Sequence, residues 1–118
     1  MKDIETREDI IRLVDQFYDR VQVSDTIGKI FAHVDWAHHK PIMYSFWSTM
    51  ILGEQSYQRN PFEKHVPLNL APEHFAEWLR LFQLTVDELF KGSNATQVKE
   101  RAWSIANVWQ YKLSQQGR

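Results

Sequence analysis

Apolar residues recur at intervals of three and four along four stretches of the chain, the spacing that gathers one face of a helix. In the first, about residues 7–22, Ile10, Ile11, Val14, Phe17, Tyr18 and Val21 carry the pattern. Thr6 stands where an N-cap belongs, and Glu8 and Asp9 place negative charge in the first turn, where the helix dipole favours it. The run Ser24-Asp25-Thr26-Ile27-Gly28 breaks the period, and residues 29–34 have no single reading. The second helix covers about residues 36–52, with Trp36, His39, Met43, Phe46, Trp47 and Met50 on one face, Asp35 as its N-cap and Gly53 as its stop. Pro41 falls inside it. Proline removes a backbone bond and clashes with the preceding turn, so this helix either begins late, near His38, or has a distorted first turn.

The third helix covers about residues 72–90, with Pro72 suited to a first turn and Lys91-Gly92 as the stop. Its stripe is Phe75, Trp78, Leu79, Phe82, Val86 and Leu89. The fourth covers about residues 95–113, with Val98, Ala102, Ile105, Ala106, Trp109 and Leu113 inward. Residues 54–71 join the second helix to the third, a long connection of the kind that often carries function. The chain shows no internal repeat, linker or low-complexity tract. The pattern predicts an all-α protein, residues 1–118 forming a single domain.

Composition narrows the chemistry. At 118 residues and 14.1 kDa the chain builds one core. It has no cysteine, which excludes disulfides, zinc–thiolate and iron–sulfur sites and thiol nucleophiles. Fourteen Lys and Arg against fifteen Asp and Glu give a net charge of −1, which argues against nucleic acid or an anionic membrane as partner. The opening residues, Met1-Lys2-Asp3-Ile4-Glu5, lack the apolar run of a signal peptide. The longest uncharged stretch, residues 41–53, falls short of the roughly 20 needed to cross a bilayer. The expectation is a soluble cytoplasmic protein, with near-neutral charge and no evident exposed apolar stripe favouring a monomer.

Five histidines, at 33, 38, 39, 65 and 74, are the natural candidates for chemistry. His39 aligns with Trp36, Met43 and Phe46 and faces inward, whereas His38 aligns with Ile42 and Ser45 nearer the boundary. An inward histidine needs a hydrogen-bond partner or a ligand, because burying a bare polar group costs a few kcal/mol. His65 sits among apolar residues in the long connection, and His74 leads to Trp78 and Leu81 at four and seven. Spacing does not choose between them as a ligand. Tyr18 lies on the inner face of the first helix, and Trp78 reads by default as core. Five tryptophans and seven phenylalanines suit a large flat ligand without requiring one. The chain has no Glu-x-x-His pair for a di-iron site, no His-Glu-x-x-His, no phosphate loop and no Gly-x-Ser-x-Gly.

The order of several short stretches resembles the truncated haemoglobins of the third group. They are Phe17-Tyr18 followed by Asp25 and Gly28, Ile30-Phe31, Trp36-x-x-His39 and Phe46-Trp47. Leu52-Gly53 follows, with Tyr57 and Pro61, then Lys64-His65 and His74-Phe75-x-x-Trp78-Leu79-x-Leu81-Phe82. The likeness covers most of residues 10–110, and the glycine pairs of the first two groups are missing, as in the third. It implies a two-over-two helical sandwich around haem b. His65 would be the proximal iron ligand, which decides against His74. Tyr18, His39 and Trp78 would form the distal pocket. Phe31 would pack on the haem face, Met43, Phe46 and Trp47 would line the crevice, and Phe75, Phe82 and Trp109 would complete it. Tyr57, Arg59 and Lys64 are the propionate candidates. Two departures bear on that last point: Arg59-Asn60 precedes Pro61 where a small residue is usual, and Ile42 stands where many relatives carry a basic residue.

The resemblance implies reversible binding of oxygen, nitric oxide and carbon monoxide at a five-coordinate iron, with the three distal residues stabilising bound oxygen. It leaves nitric oxide dioxygenation and peroxidase-like turnover open, each needing an external reductase. Two other readings compete. One is a cofactor-free helical interaction module in which the aromatics are core and His65 is a loop residue. The other is a haem sensor or carrier in which His39 also bonds the iron.

Overall fold

The computed structural model describes residues 1–32, 34–53 and 71–116, with side chains through residue 112. His33 and the connection 54–70, including Tyr57, Arg59, Lys64 and His65, lie outside the described residues. Four helices account for most of the rest: α1 (Arg7–Val23), α2 (Trp36–Leu52), α3 (Pro72–Leu89) and α4 (Ser93–Gln116). No strand occurs among the described residues.

The predicted cap of α1 forms. Asp9 N–H donates to Thr6 Oγ1 at 3.3 Å and Thr6 N–H donates back to Asp9 Oδ2 at 3.1 Å, a capping box that satisfies two otherwise orphaned donors. Glu5 N–H at 2.9 Å and Lys2 Nζ at 2.5 Å donate to the same Asp9 oxygen. Helix α2 begins at Trp36 rather than late: His39 N–H donates to the Asp35 carbonyl at 2.8 Å. Asp35 holds the N-cap position, but its carboxylate makes no capping bond. Pro41 sits inside the helix and deprives the Ala37 carbonyl of its donor one turn on; Ala37 is exposed, so water can replace it.

Between α1 and α2 the chain makes tight turns. Ile30, Ala32 and Val34 N–H donate to carbonyls three residues back, and Ser24 Oγ accepts from Thr26 and Ile27 N–H. These turns bury Ile27 and Phe31.

Helix α4 starts two residues before the expected Ala95, for a reason distant in sequence. The Asp3 carboxylate accepts from Asn94 N–H at 2.9 Å and Ala95 N–H at 2.8 Å, capping α4 from the other end of the chain. Burial raises the Asp3 carboxyl pKa, but the backbone donors of Asn94, Ala95 and Ile4 outweigh it and hold it below the ordinary value. Gly92, at φ +147°, lets the chain pass this strap: a Cβ there would stand 2.4 Å from Asp3 Cγ.

Helix α1 packs on α2 and on α3, α3 packs on α4, and α2 touches α4, giving two layers of two helices. The predicted stripes mostly point inward. The exceptions follow from neighbours that periodicity cannot see. Leu13 is fully buried and Ile11 only partly so, because α1 is covered from two sides. On α4, Trp103, Val108 and Tyr111 are exposed.

Candidate functional site

Phe17 and Tyr18 are adjacent in sequence, so the helical period points them about 100° apart, a third of a turn. Both are buried because α1 lies between two helices. Phe17 turns toward α3, meeting the Trp78 ring edge-on at 5.6 Å and Phe82 at 5.1 Å. Tyr18 turns toward α2, with its ring centroid 4.6 Å from Trp36 and 5.5 Å from His39. Trp78 and Phe82 stack almost parallel at 5.6 Å, and Phe82 stacks on Trp47 at 5.1 Å. Phe46 meets Trp47 at 5.0 Å, and Trp109 reaches Trp78 from α4 at 6.3 Å. Phe75 belongs with Ala106 and Trp109 to a small second core that Trp78 bridges to the main one. Met43 is buried one turn beyond His39, and Phe31 is buried facing Trp36 at 6.4 Å.

Three polar groups stand out against this aromatic wall. The Tyr18 hydroxyl lies 3.3 Å from His39 Nε2. If that nitrogen is bare, the hydroxyl donates to it; if it carries the proton, it donates to the hydroxyl oxygen and leaves the tyrosine proton to point elsewhere. Burial pushes the Tyr18 phenol well above its usual pKa, so it keeps its proton. The Trp78 indole N–H, which can only donate, is buried with no acceptor among the described residues. Such a group ordinarily finds a partner, and its cost is recovered only when something accepts from it. The third, Ser48 Oγ, is likewise buried and unpaired. It sits one turn beyond Tyr44 and Ser45, which reach α1 through Asp15 and Arg7, and so belongs to the α1–α2 seam.

Two other histidines, His74 and His38, lie among the described residues. His74 Nδ1 accepts from Ala71 N–H at 2.8 Å and so closes the first turn of α3. His38 is exposed. The structure thus brings Tyr18, His39, Trp78 and the expected wall residues of α2, α3 and α4 into one aromatic cluster. Sequence reasoning missed Trp36 as part of it. The signal was its spacing of three from His39, which puts the two rings on neighbouring turns, 5.8 Å apart.

The chain matches the bacterial-like globin family over residues 2–110. It belongs to that family. This globin is 31% identical to the group 3 truncated hemoglobin ctb of Campylobacter jejuni, over 94% of its own length and 93% of the relative's. Its fold matches the crystal structure of the group III truncated hemoglobin from Campylobacter jejuni with a TM-score of 0.84, over 96% of this chain and 95% of that one, again at 31% identity. The expected family and the two-over-two globin fold are both confirmed. Among the described residues, no helix of this globin is long and apolar enough to cross a membrane.

Proposed function

We propose that this globin holds haem b against the aromatic cluster and presents Tyr18, His39 and Trp78 to a diatomic ligand. The observation that carries the reading is the Trp78 N–H, buried with no acceptor among the described residues in a wall of stacked aromatic rings, which Phe17 links to the buried Tyr18. Apolar walls with a few placed donors are what a ligand site requires. The residues present therefore fit the group that the family implies. Phe31, Met43, Phe46, Trp47, Phe75, Phe82 and Trp109 would hold the macrocycle. His65, outside the described residues, would ligate the iron, with Tyr57, Arg59 and Lys64 as propionate partners.

When bound, haem would supply an iron able to take up oxygen, nitric oxide or carbon monoxide. The chain's own contribution is electrostatic. Trp78 donates from a fixed indole, and Tyr18 donates from a hydroxyl whose raised pKa keeps it protonated. His39 decides through its tautomer whether the tyrosine proton is spoken for. Neutral hydrogen bonds are worth about 0.5–1.5 kcal/mol and those to charged partners about 1.5–3 kcal/mol, so oxygen, which gathers negative charge, gains more than carbon monoxide. Tight holding suits chemistry on oxygen over delivery: nitric oxide dioxygenation or peroxidase-like turnover, with electrons from an external reductase.

The test is a haem titration of the purified chain followed by absorption. A Soret band that saturates at one haem per chain, and weakens or shifts in His65→Ala, supports the reading. A folded protein that stays colourless rejects it, and an unchanged spectrum in His65→Ala removes His65 as ligand.

A further inference from the structure

Trp36, which the sequence placed on the His39 face of α2 without a role in the site, occupies a particular place. It is the first residue of α2, half-buried, and its ring meets three others. It lies 4.6 Å from Tyr18 at 48°, 5.8 Å from His39 edge-on at 69°, and 6.4 Å from Phe31 in a stacked arrangement. Tyr18 and His39 are themselves 5.5 Å apart. The three rings therefore form a closed triangle in which each member touches the other two. One side also carries the Tyr18–His39 hydrogen bond.

We infer that Trp36 is a positioning residue for His39. This role rests on the assignment of Tyr18 and His39 to the ligand pocket. His39 is half-buried, at the edge of the cluster, while Tyr18 is 3% exposed. The tyrosine is fixed by its surroundings, whereas the imidazole has a solvent side to turn toward. The indole occupies one flank of the imidazole from the preceding turn of the same helix. It is anchored in turn by Phe31 from the tight turns before α2. Asp35 gives α2 no side-chain cap, and the ring packing of Trp36 adds to the backbone bonds at the start of the helix. A ring at Trp36 thus both seats the first turn and holds His39 Nε2 at the Tyr18 hydroxyl. Specificity follows, because the orientation of His39 sets both access to the pocket and the direction of the tyrosine proton.

The experiment compares Trp36→Phe, which keeps a ring, with Trp36→Leu, which keeps apolar bulk without one. The first readout is independent of turnover: side-chain nitrogen NMR of His39 in the full chain, recorded before haem addition and again after loading with haem and carbon monoxide. The second is the carbon monoxide association rate in wild type, Trp36→Leu, His39→Ala and the double variant. An aromatic pair of this kind shifts a two-position equilibrium by about two- to tenfold. We expect Trp36→Leu to give His39 the nitrogen shifts of a solvent-averaged imidazole, and Trp36→Phe to restore the wild-type pattern. Association should change by about that factor in Trp36→Leu, with the double variant matching His39→Ala alone. Unchanged His39 shifts in Trp36→Leu overturn the inference, as do rate effects that simply add in the double variant. Failure to bind haem would instead reject the pocket assignment, and the NMR comparison before haem addition reads separately from it.

Discussion

The Tyr18 hydroxyl lies 3.3 Å from His39 Nε2, joining two helices across 21 positions of sequence. The tyrosine is buried and protonated, and the histidine is half-exposed. The pair therefore sets a buried hydroxyl beside an imidazole whose tautomer decides which of the two donates. Tyr18→Phe removes the donor and keeps the ring packing on Phe17 and Trp36. We expect oxygen to leave the haem-loaded variant faster by about one to two decades, the equivalent of a charge-assisted hydrogen bond, with carbon monoxide release changing less. Stopped-flow displacement measures both rates, and equal changes for the two gases would contradict an electrostatic role.

Ser48 makes a prediction of opposite sign. Its hydroxyl is buried at the α1–α2 seam with no partner among the described residues. Leaving such a group unpaired costs about 1–3 kcal/mol, and Ala is also the better helix former. Ser48→Ala is expected to raise unfolding free energy by about 1 kcal/mol. Urea denaturation of the two proteins checks this, and a loss of stability would mean that the hydroxyl is paired in solution.

The strap from Asp3 to α4 gives the fold an acid-sensitive element. In Asp3, burial raises the carboxyl pKa but the Asn94, Ala95 and Ile4 donors lower it further, below the ordinary 3.8. In Asp9, burial is likewise outweighed by Lys2 and the Glu5 and Thr6 donors. A depressed folded pKa means stability that is present above the ordinary value and is lost as pH falls through it toward the folded one. Asp3→Asn should therefore cost about 1 kcal/mol near neutrality, as loss of a cap does. The gap from wild type should close as pH falls below about 4. A gap independent of pH would show that the carboxylate charge is not what caps α4.

Gly92 is tied to the same strap. A Cβ there would stand 2.4 Å from Asp3 Cγ, on a backbone at φ +147° that side chains avoid. Gly92→Ala is expected to cost about 1–3 kcal/mol and to flatten the acid dependence by displacing Asp3. Thermal unfolding across pH 3–7 measures both effects, and a fully stable variant would contradict the close approach.

How much of this was legible in the sequence depends on how far apart the interacting residues lie. Thr6 and Asp9 are three apart, so the cap of α1 could be read directly. The same holds for the stripes of α1 to α4, since the helical period is local. The early start of α4 could not be read, because its cap is Asp3, some ninety residues away. Leu13 was passed over because burial on a second side of α1 depends on α3. Pro41 suggested a late start for α2, but the packing of Trp36 against Tyr18 and Phe31 seats the first turn regardless. For the site, periodicity could turn Tyr18, His39 and Trp78 inward. That Tyr18 meets His39 is a property of how α1 and α2 stack, and only the family resemblance assigns Trp78 to the same pocket. The same resemblance chose His65 over His74. The bond from Ala71 N–H to His74 Nδ1 gives His74 a separate, structural role.

The most direct test of the account rests on Trp78. Its ring stacks on Phe82 and its N–H is buried with nothing to accept from it among the described residues. Trp78→Phe keeps an aromatic ring on Phe82 and deletes that single donor. The measurement is the oxygen dissociation rate of the haem-loaded wild type and variant, under the same conditions. The account predicts that the variant releases oxygen about tenfold faster or more. An unchanged rate would mean that the indole N–H does not serve the ligand, and the pocket as described would be wrong.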